Sequence, residues 1–171
     1  PFSEGSLAGL QLYGTYAEGF RSPALSETLI SGLHPNGVVF PFLPNPYLQP
    51  ETATTVEFGL NYALDSLLEA NDSLRVKAAY YHNDIDNYIG GVTLSAFDPT
   101  SGCPRVPGAI PVCYQYQNFA SAVIEGFELE SVYAAGWGFV GLTTSIIQGE
   151  ATSYEGEPAN VLTIPSSQVT G

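Results

Sequence analysis

Leu10 to Phe20 alternates, with Leu10, Leu12, Gly14 and Tyr16 on one side and Gln11, Tyr13, Thr15 and Ala17 on the other. A period of two marks a strand whose faces meet different surroundings. Its length suits the roughly 9–11 residues that a tilted strand needs to cross a bilayer. The same rhythm returns from Ala53 to Leu64, where Val56, Phe58, Leu60 and Tyr62 alternate with Thr55, Glu57, Gly59 and Asn61. From Leu74 to Asn83, Leu74, Val76, Ala78 and Tyr80 oppose Arg75, Lys77 and Ala79. Tyr114 to Tyr133 reads as one long strand, with Gly126, Glu128 and Glu130 on one face and Phe127, Leu129 and Tyr133 on the other. Glu125 falls on the Phe127 face, so it is expected above any hydrocarbon layer. Phe139 to Gln148 completes the set, and Gly149 to Ser167 reads as loop.

The connections alternate in length. Glu69-Ala70-Asn71-Asp72 and Ala134 to Gly138 are short turns, the second carrying Trp137, a residue suited to a membrane interface. Phe20 to Glu51 and Tyr88 to Cys113 are long excursions. The predicted fold is all-β: an antiparallel segment of about five strands from a large transmembrane β-barrel, with long extracellular loops and short periplasmic turns. Apolar faces then meet lipid, and Glu57, Arg75 and Lys77 point into the lumen, the two cations near the periplasmic rim. A soluble β-sandwich alternates too, but its loops are rarely long on one side only and its strands seldom reach about 12 residues or more.

Composition favours the membrane. Charged residues make up 12% of the 171, about half the ~25% of soluble domains. A net charge of −13, with only Arg21, Arg75, Lys77 and Arg105 as fixed cations, argues against nucleic acid and against anionic lipid surfaces as partners. No uninterrupted apolar run is long enough for a transmembrane helix. The chain starts at Pro1 without an initiator methionine or signal pattern, and is expected to be a piece of a longer protein.

The first excursion holds the candidate chemistry. Pro23, Pro35, Pro41, Pro44, Pro46 and Pro50 forbid a continuous helix or ladder, so the stretch is expected to be loop throughout. Leu33, Val38, Val39, Phe40, Phe42, Leu43 and Tyr47 make it too apolar for a disordered linker, which leaves a binding loop. At its centre lies His34, one of 2 histidines, followed by the turn-forming Pro35-Asn36-Gly37. Taken alone, a loop histidine is most often a solvated surface residue.

Two flanking segments change that picture. Phe20-Arg21-Ser22-Pro23 and Asn45-Pro46-Tyr47-Leu48 resemble the FRAP and NPNL boxes of TonB-dependent outer-membrane haem receptors, with Ser22 in place of alanine and Tyr47 in place of asparagine. Gln49-Pro50-Glu51-Thr52, Val56-Glu57-Phe58-Gly59, Tyr116-Gln117-Asn118 and Ile124-Glu125-Gly126-Phe127-Glu128 resemble strand signatures of the wider receptor family. The spacing, with a single histidine between the boxes, is similar to the haemophore and haemoprotein receptor branch.

The resemblance implies that residues 1–171 belong to one barrel domain in a Gram-negative outer membrane, the plug and the TonB-contacting segment lying outside them. It implies haem as the transported ligand, His34 as an axial ligand to haem iron, and a second ligand from the plug. Partners implied are haem, a haemophore or haemoprotein, the TonB complex and outer-membrane lipid. A ferric-siderophore receptor of the same fold and a passive porin-like barrel remain the alternatives.

Cys103 and Cys113, the only cysteines, bracket 9 residues of the second excursion. Facing an oxidising compartment, with no further thiol or histidine nearby to complete a zinc site, they are expected to pair. Arg21 is expected to orient the loop through carboxylate or backbone contacts rather than to hold a haem propionate. His82, beside Asp84, reads as a polar residue near a strand end. No phosphate loop, nucleophile elbow or H-E-x-x-H motif is present, and an enzymatic role is not expected.

Overall fold

A computed structural model describes residues 7–33, 40–154, 158–159 and 168–170. Five long strands, β1 (Leu10–Arg21), β4 (Glu51–Asp65), β5 (Ser73–Asp86), β8 (Ser121–Ala135) and β9 (Gly138–Thr152), form the wall. They pair antiparallel in the order β1-β4-β5-β8-β9, and β10 (Pro158–Ala159) and β11 (Gln168–Thr170) both add to β9. Between them the long excursions carry α1 (Leu25–Thr28), β2 (Gly32–Leu33), β3 (Pro41–Leu43), β6 (Ile89–Ser95) and β7 (Val112–Asn118).

The register keeps the two chemistries apart. Gly14, Phe58, Tyr80, Phe127 and Ile146 lie directly opposite one another along one row, and Leu12, Leu60, Ala78, Leu129 and Thr144 along another row of the same face. The other face carries Gln11, Asn61, Lys77, Glu130 and Thr143, then Tyr13, Gly59, Ala79, Glu128 and Ser145. A one-residue slip in any pair would exchange these sets, which holds the register in place. Gly59 on the polar face leaves room for the Tyr13 phenol, which lies where a Cβ would be.

Among the described residues nothing packs over the apolar face. Leu12 and Phe58 are each 63% exposed and Val140 60%, whereas the buried apolar residues Leu48, Ile89, Phe119, Ala122 and Ala151 gather where the loops meet the wall. Exposed apolar area on this scale is foreign to a soluble monomer. Glu125 lies on that apolar face, as expected, and takes hydrogen bonds from Tyr80 and His82 at 2.7 and 3.3 Å.

Some expectations need correction. The first excursion is not loop throughout: α1 and the short β2 and β3 form in it, with Pro41 opening β3, where a missing N–H costs least. The second excursion contains a hairpin, β6 with β7. The long strand expected from Tyr114 to Tyr133 is interrupted at Phe119 and Ala120, so that β7 joins the loop sheet and only β8 joins the wall. Gly149 to Thr152, expected as loop, continues β9.

The turn between β4 and β5 is built around one carboxylate. Asp72, 3% exposed, accepts the N–H groups of Leu67, Leu68 and Glu69 at 2.6, 2.7 and 2.8 Å and the Tyr133 hydroxyl at 2.6 Å. Burial opposes the charge, but these four donors outweigh it and hold the pKa at about 2. A depressed pKa contributes stability above the ordinary value of 3.8, lost as pH falls through about 2. Amide protection factors at Leu67, Leu68 and Glu69 should therefore hold down to about pH 4 and collapse toward pH 2. Protection that persists unchanged through pH 2, or that survives Asp72→Asn at neutral pH, would show that the carboxylate does not hold the turn.

Candidate ligand-binding site

The first box is anchored at the top of the wall. Arg21, the last residue of β1, faces Glu51, the first of β4, across the strand pair. Its Nε and Nη2 donate to the Glu51 carboxylate at 2.6 and 2.8 Å, and its Nη1 to Glu27 of α1 at 2.9 and 3.0 Å. A planar fork is suited to serving two carboxylates at once. Glu27 also accepts the Ala24 N–H at 2.7 Å, tying the first turn of α1 to the same arginine. Ser22 and Pro23 make the short extended link from β1 to α1, and Phe20, 70% exposed, stays on the apolar face. Arg21 thus orients the loop through carboxylates, as expected.

The second box docks onto the other excursion. Asn45 accepts the Tyr47 N–H on its Oδ1 at 3.2 Å while its Nδ2 donates to the Tyr116 carbonyl at 2.9 Å. Pro46 and Tyr47 form the turn, Tyr47 being 84% exposed, and Leu48 is buried. Gln49 then exchanges two hydrogen bonds with the Asn118 side chain, at 2.8 and 2.9 Å, and Asn118 also donates to the Asn87 carbonyl at 2.7 Å. Glu51 closes the circuit by accepting the Ile89 N–H at 2.8 Å. Glu51, Asn118 and Ile89 were not singled out as site residues in the sequence. The signal for two of them was present in the family-like segments around Gln49-Pro50-Glu51 and Tyr116-Gln117-Asn118.

Above this junction the excursions share one sheet, in the order β2-β3-β7-β6, with β3 and β7 parallel through Phe42 opposite Tyr114 and Leu43 opposite Gln115. Phe40, Phe42, Tyr114 and Tyr116 form a continuous aromatic row, with ring centroids 5.5, 5.5 and 5.4 Å apart. The Tyr114 phenol lies where a Cβ on Gly91 of β6 would be, so only glycine allows that packing. Cys103 and Cys113 are joined by a disulfide that closes the tip of the β6–β7 hairpin. Leu33 and Phe40, which border segment 34–39, lie at the same outer end of this sheet. His34 itself lies outside the described residues. His82 is remote from the loops, paired on the apolar face of the wall with Asp84 and Glu125, each at 3.3 Å.

The profile of the family described as "TonB dependent receptor-like, beta-barrel" matches residues 6–170. The chain belongs to the TonB-dependent receptor β-barrel family. Heme/hemopexin utilization protein C of Haemophilus influenzae strain 86-028NP is 34% identical over 131 residues, covering 72% of this chain and 18% of that protein. A Hemin receptor of Yersinia enterocolitica is 31% identical over 151 residues, covering 82% of this chain and 21% of the relative. Among solved structures, a double mutant of the Serratia marcescens hemophore receptor HasR, in complex with its hemophore HasA and heme, superimposes with a TM-score of 0.68. It shares 30% identity over 83% of this chain and 20% of that one.

The chain therefore spans about a fifth of the length of the relatives it matches. Family membership places its strands in the outer membrane of a Gram-negative cell, as an arc of a barrel that does not close within these residues. The apolar rows are then lipid-facing, the rows with Glu57, Lys77, Glu128 and Glu130 line the lumen, and the boxes stand at the extracellular rim.

Proposed function

We propose that this chain is part of an outer-membrane receptor that imports haem, energised through TonB, and that His34 supplies an axial ligand to the haem iron. The observation that carries the reading is positional. His34 is the one histidine in an external loop, and it sits between the two boxes in a loop whose root is closed by Arg21 of the first box bonded to Glu51, which follows the second. Anchoring the root of a ligand loop and pairing its flanks into a second loop lowers the entropy lost on binding. The names of its relatives link them to heme, hemin, hemopexin and, for Hemoglobin-binding protein A, hemoglobin. These names support a haemophore or haemoprotein as donor. The ligand is carried without any bond in it being changed, so the role is transport and not catalysis.

Mechanistically, the external loops take haem from its carrier, His34 holds the iron through a neutral imidazole, and the apolar and aromatic surface beside it covers a porphyrin face. Segments outside residues 1–171 supply the plug, the second ligand and the coupling to TonB. The test is titration of the full-length receptor with haem and with ferric siderophores. Saturable haem binding with a Soret band typical of nitrogen ligation is expected. Binding of a ferric siderophore in its place would make the siderophore receptor the correct reading.

A further inference from the structure

Haem carries two carboxylates on the rim of an apolar disc, and this chain, at −13, offers them few partners. Its 4 fixed cations can be followed one at a time. Both edges of Arg21 are taken by Glu27 and Glu51. Arg75 pairs with Asp65 at 2.7 Å, at the short-turn end of the wall. Lys77 lies on the polar face of β5 with Glu130 directly opposite. Among the described residues neither Lys77 nor Arg105 makes an ion pair, and of the two only Arg105 lies in the external loops.

Arg105 is nonetheless held in place. Its Nε donates to the Ala96 carbonyl at 3.3 Å, and its guanidinium lies 4.7 Å from the centroid of the Phe97 ring. The segment that carries it is closed by the Cys103–Cys113 disulfide and stiffened by Pro104, Pro107 and Pro111. With Nε used and one face on an aromatic ring, the two terminal nitrogens remain as a fork for a carboxylate.

The position is as informative as the charge. Ala96 bonds to Pro111 at the outer end of the β6–β7 hairpin, the same end of the loop sheet at which Leu33 and Phe40 border the His34 segment. β3 and β6 are separated by β7 alone. Two inter-strand spacings put them about 10 Å apart, within the span of a tetrapyrrole and its side chains. We propose that Arg105 binds a propionate carboxylate of haem, so that the disulfide-closed hairpin reads the rim of the ligand while the first loop reads its iron. This rests on the haem reading above and adds a second anchor to it.

The experiment compares haem with haem dimethyl ester, in which both propionates are capped, on the full-length receptor and on Arg105→Gln and Arg105→Lys. The parent receptor should favour haem over the ester by roughly tenfold, the scale of one charge-assisted hydrogen bond. Arg105→Gln should lose that preference by weakening haem and leaving the ester unchanged, with the same Soret position. Arg105→Lys should keep part of it. The proposal is overturned if Arg105→Gln treats both ligands as the parent does, or if it weakens both equally. It is also overturned if only the haem-loaded carrier is affected, because the arginine's partner is then a carboxylate of the carrier. A receptor that binds no haem would remove the haem reading and this one with it. Haem bound with a His34-dependent spectrum but indifferent to Arg105 would remove this one alone.

Discussion

Haem affinity in the full-length receptor is expected to fall by more than the roughly 10–100-fold that loss of even an outer-shell partner costs a metal site when His34 is replaced by alanine. The Soret band should shift at the same time, because the iron loses a nitrogen donor while the apolar surface of the loop is retained. Barrel assembly should be unaffected, since the strand ladders that build the wall run between β1, β4, β5, β8 and β9. His82→Ala provides the contrast. Its imidazole faces Asp84 and Glu125 on the lipid side of the wall, far from the loop sheet, so neither affinity nor spectrum should change. If the His34 variant keeps the parent affinity and spectrum, the histidine is incidental and the siderophore receptor becomes the better account.

The parts of this structure legible in the sequence are those in which each residue meets one of two contrasting environments. Val56, Glu57, Phe58 and Gly59 could be assigned to faces before any coordinates, because lipid and lumen impose opposite chemistry on alternate positions and a slip is costly. The loop sheet obeys no such rule. β3 is three residues long and begins with a proline, and its partner β7 lies some 70 positions away in a parallel pairing, so no local period announces either. The interruption at Phe119 and Ala120 was hidden for a related reason. No glycine or proline falls between Tyr114 and Glu125, and the break is made instead by contacts from elsewhere, the Phe119 N–H reaching the Tyr88 carbonyl and Asn118 bridging Asn87 and Gln49. The cysteine pairing could be anticipated from compartment and count. The role of Glu51 could not, because its two partners come from β1 and from the start of β6, and only the fold brings these together.

Removing Arg21 should loosen both external loops at once. Glu51 is 8% exposed, and without the guanidinium its carboxylate would keep only the Ile89 N–H as a partner. Breaking one side of a buried pair costs about 3–5 kcal/mol. The Arg21 side chain is 44% exposed, so solvent screening reduces the figure to about 1–3 kcal/mol. Spread over the local opening equilibrium, that raises the open population by about 5- to 150-fold. Arg21→Met should therefore speed limited proteolysis within residues 22–50 and hydrogen exchange at Ile89 together, although Ile89 belongs to the other excursion. Glu51→Gln should do less. The amide carbonyl can still accept the Ile89 N–H, and Arg21 retains Glu27. The order of the two variants is what tests the argument: if Glu51→Gln loosens the loops more than Arg21→Met, a stranded buried carboxylate is not the source of the effect. If Arg21→Met frees only the first loop and leaves Ile89 protected, the two excursions are not held as one unit. The shared sheet would then have to derive its order from the β3–β7 pairing and the aromatic row alone.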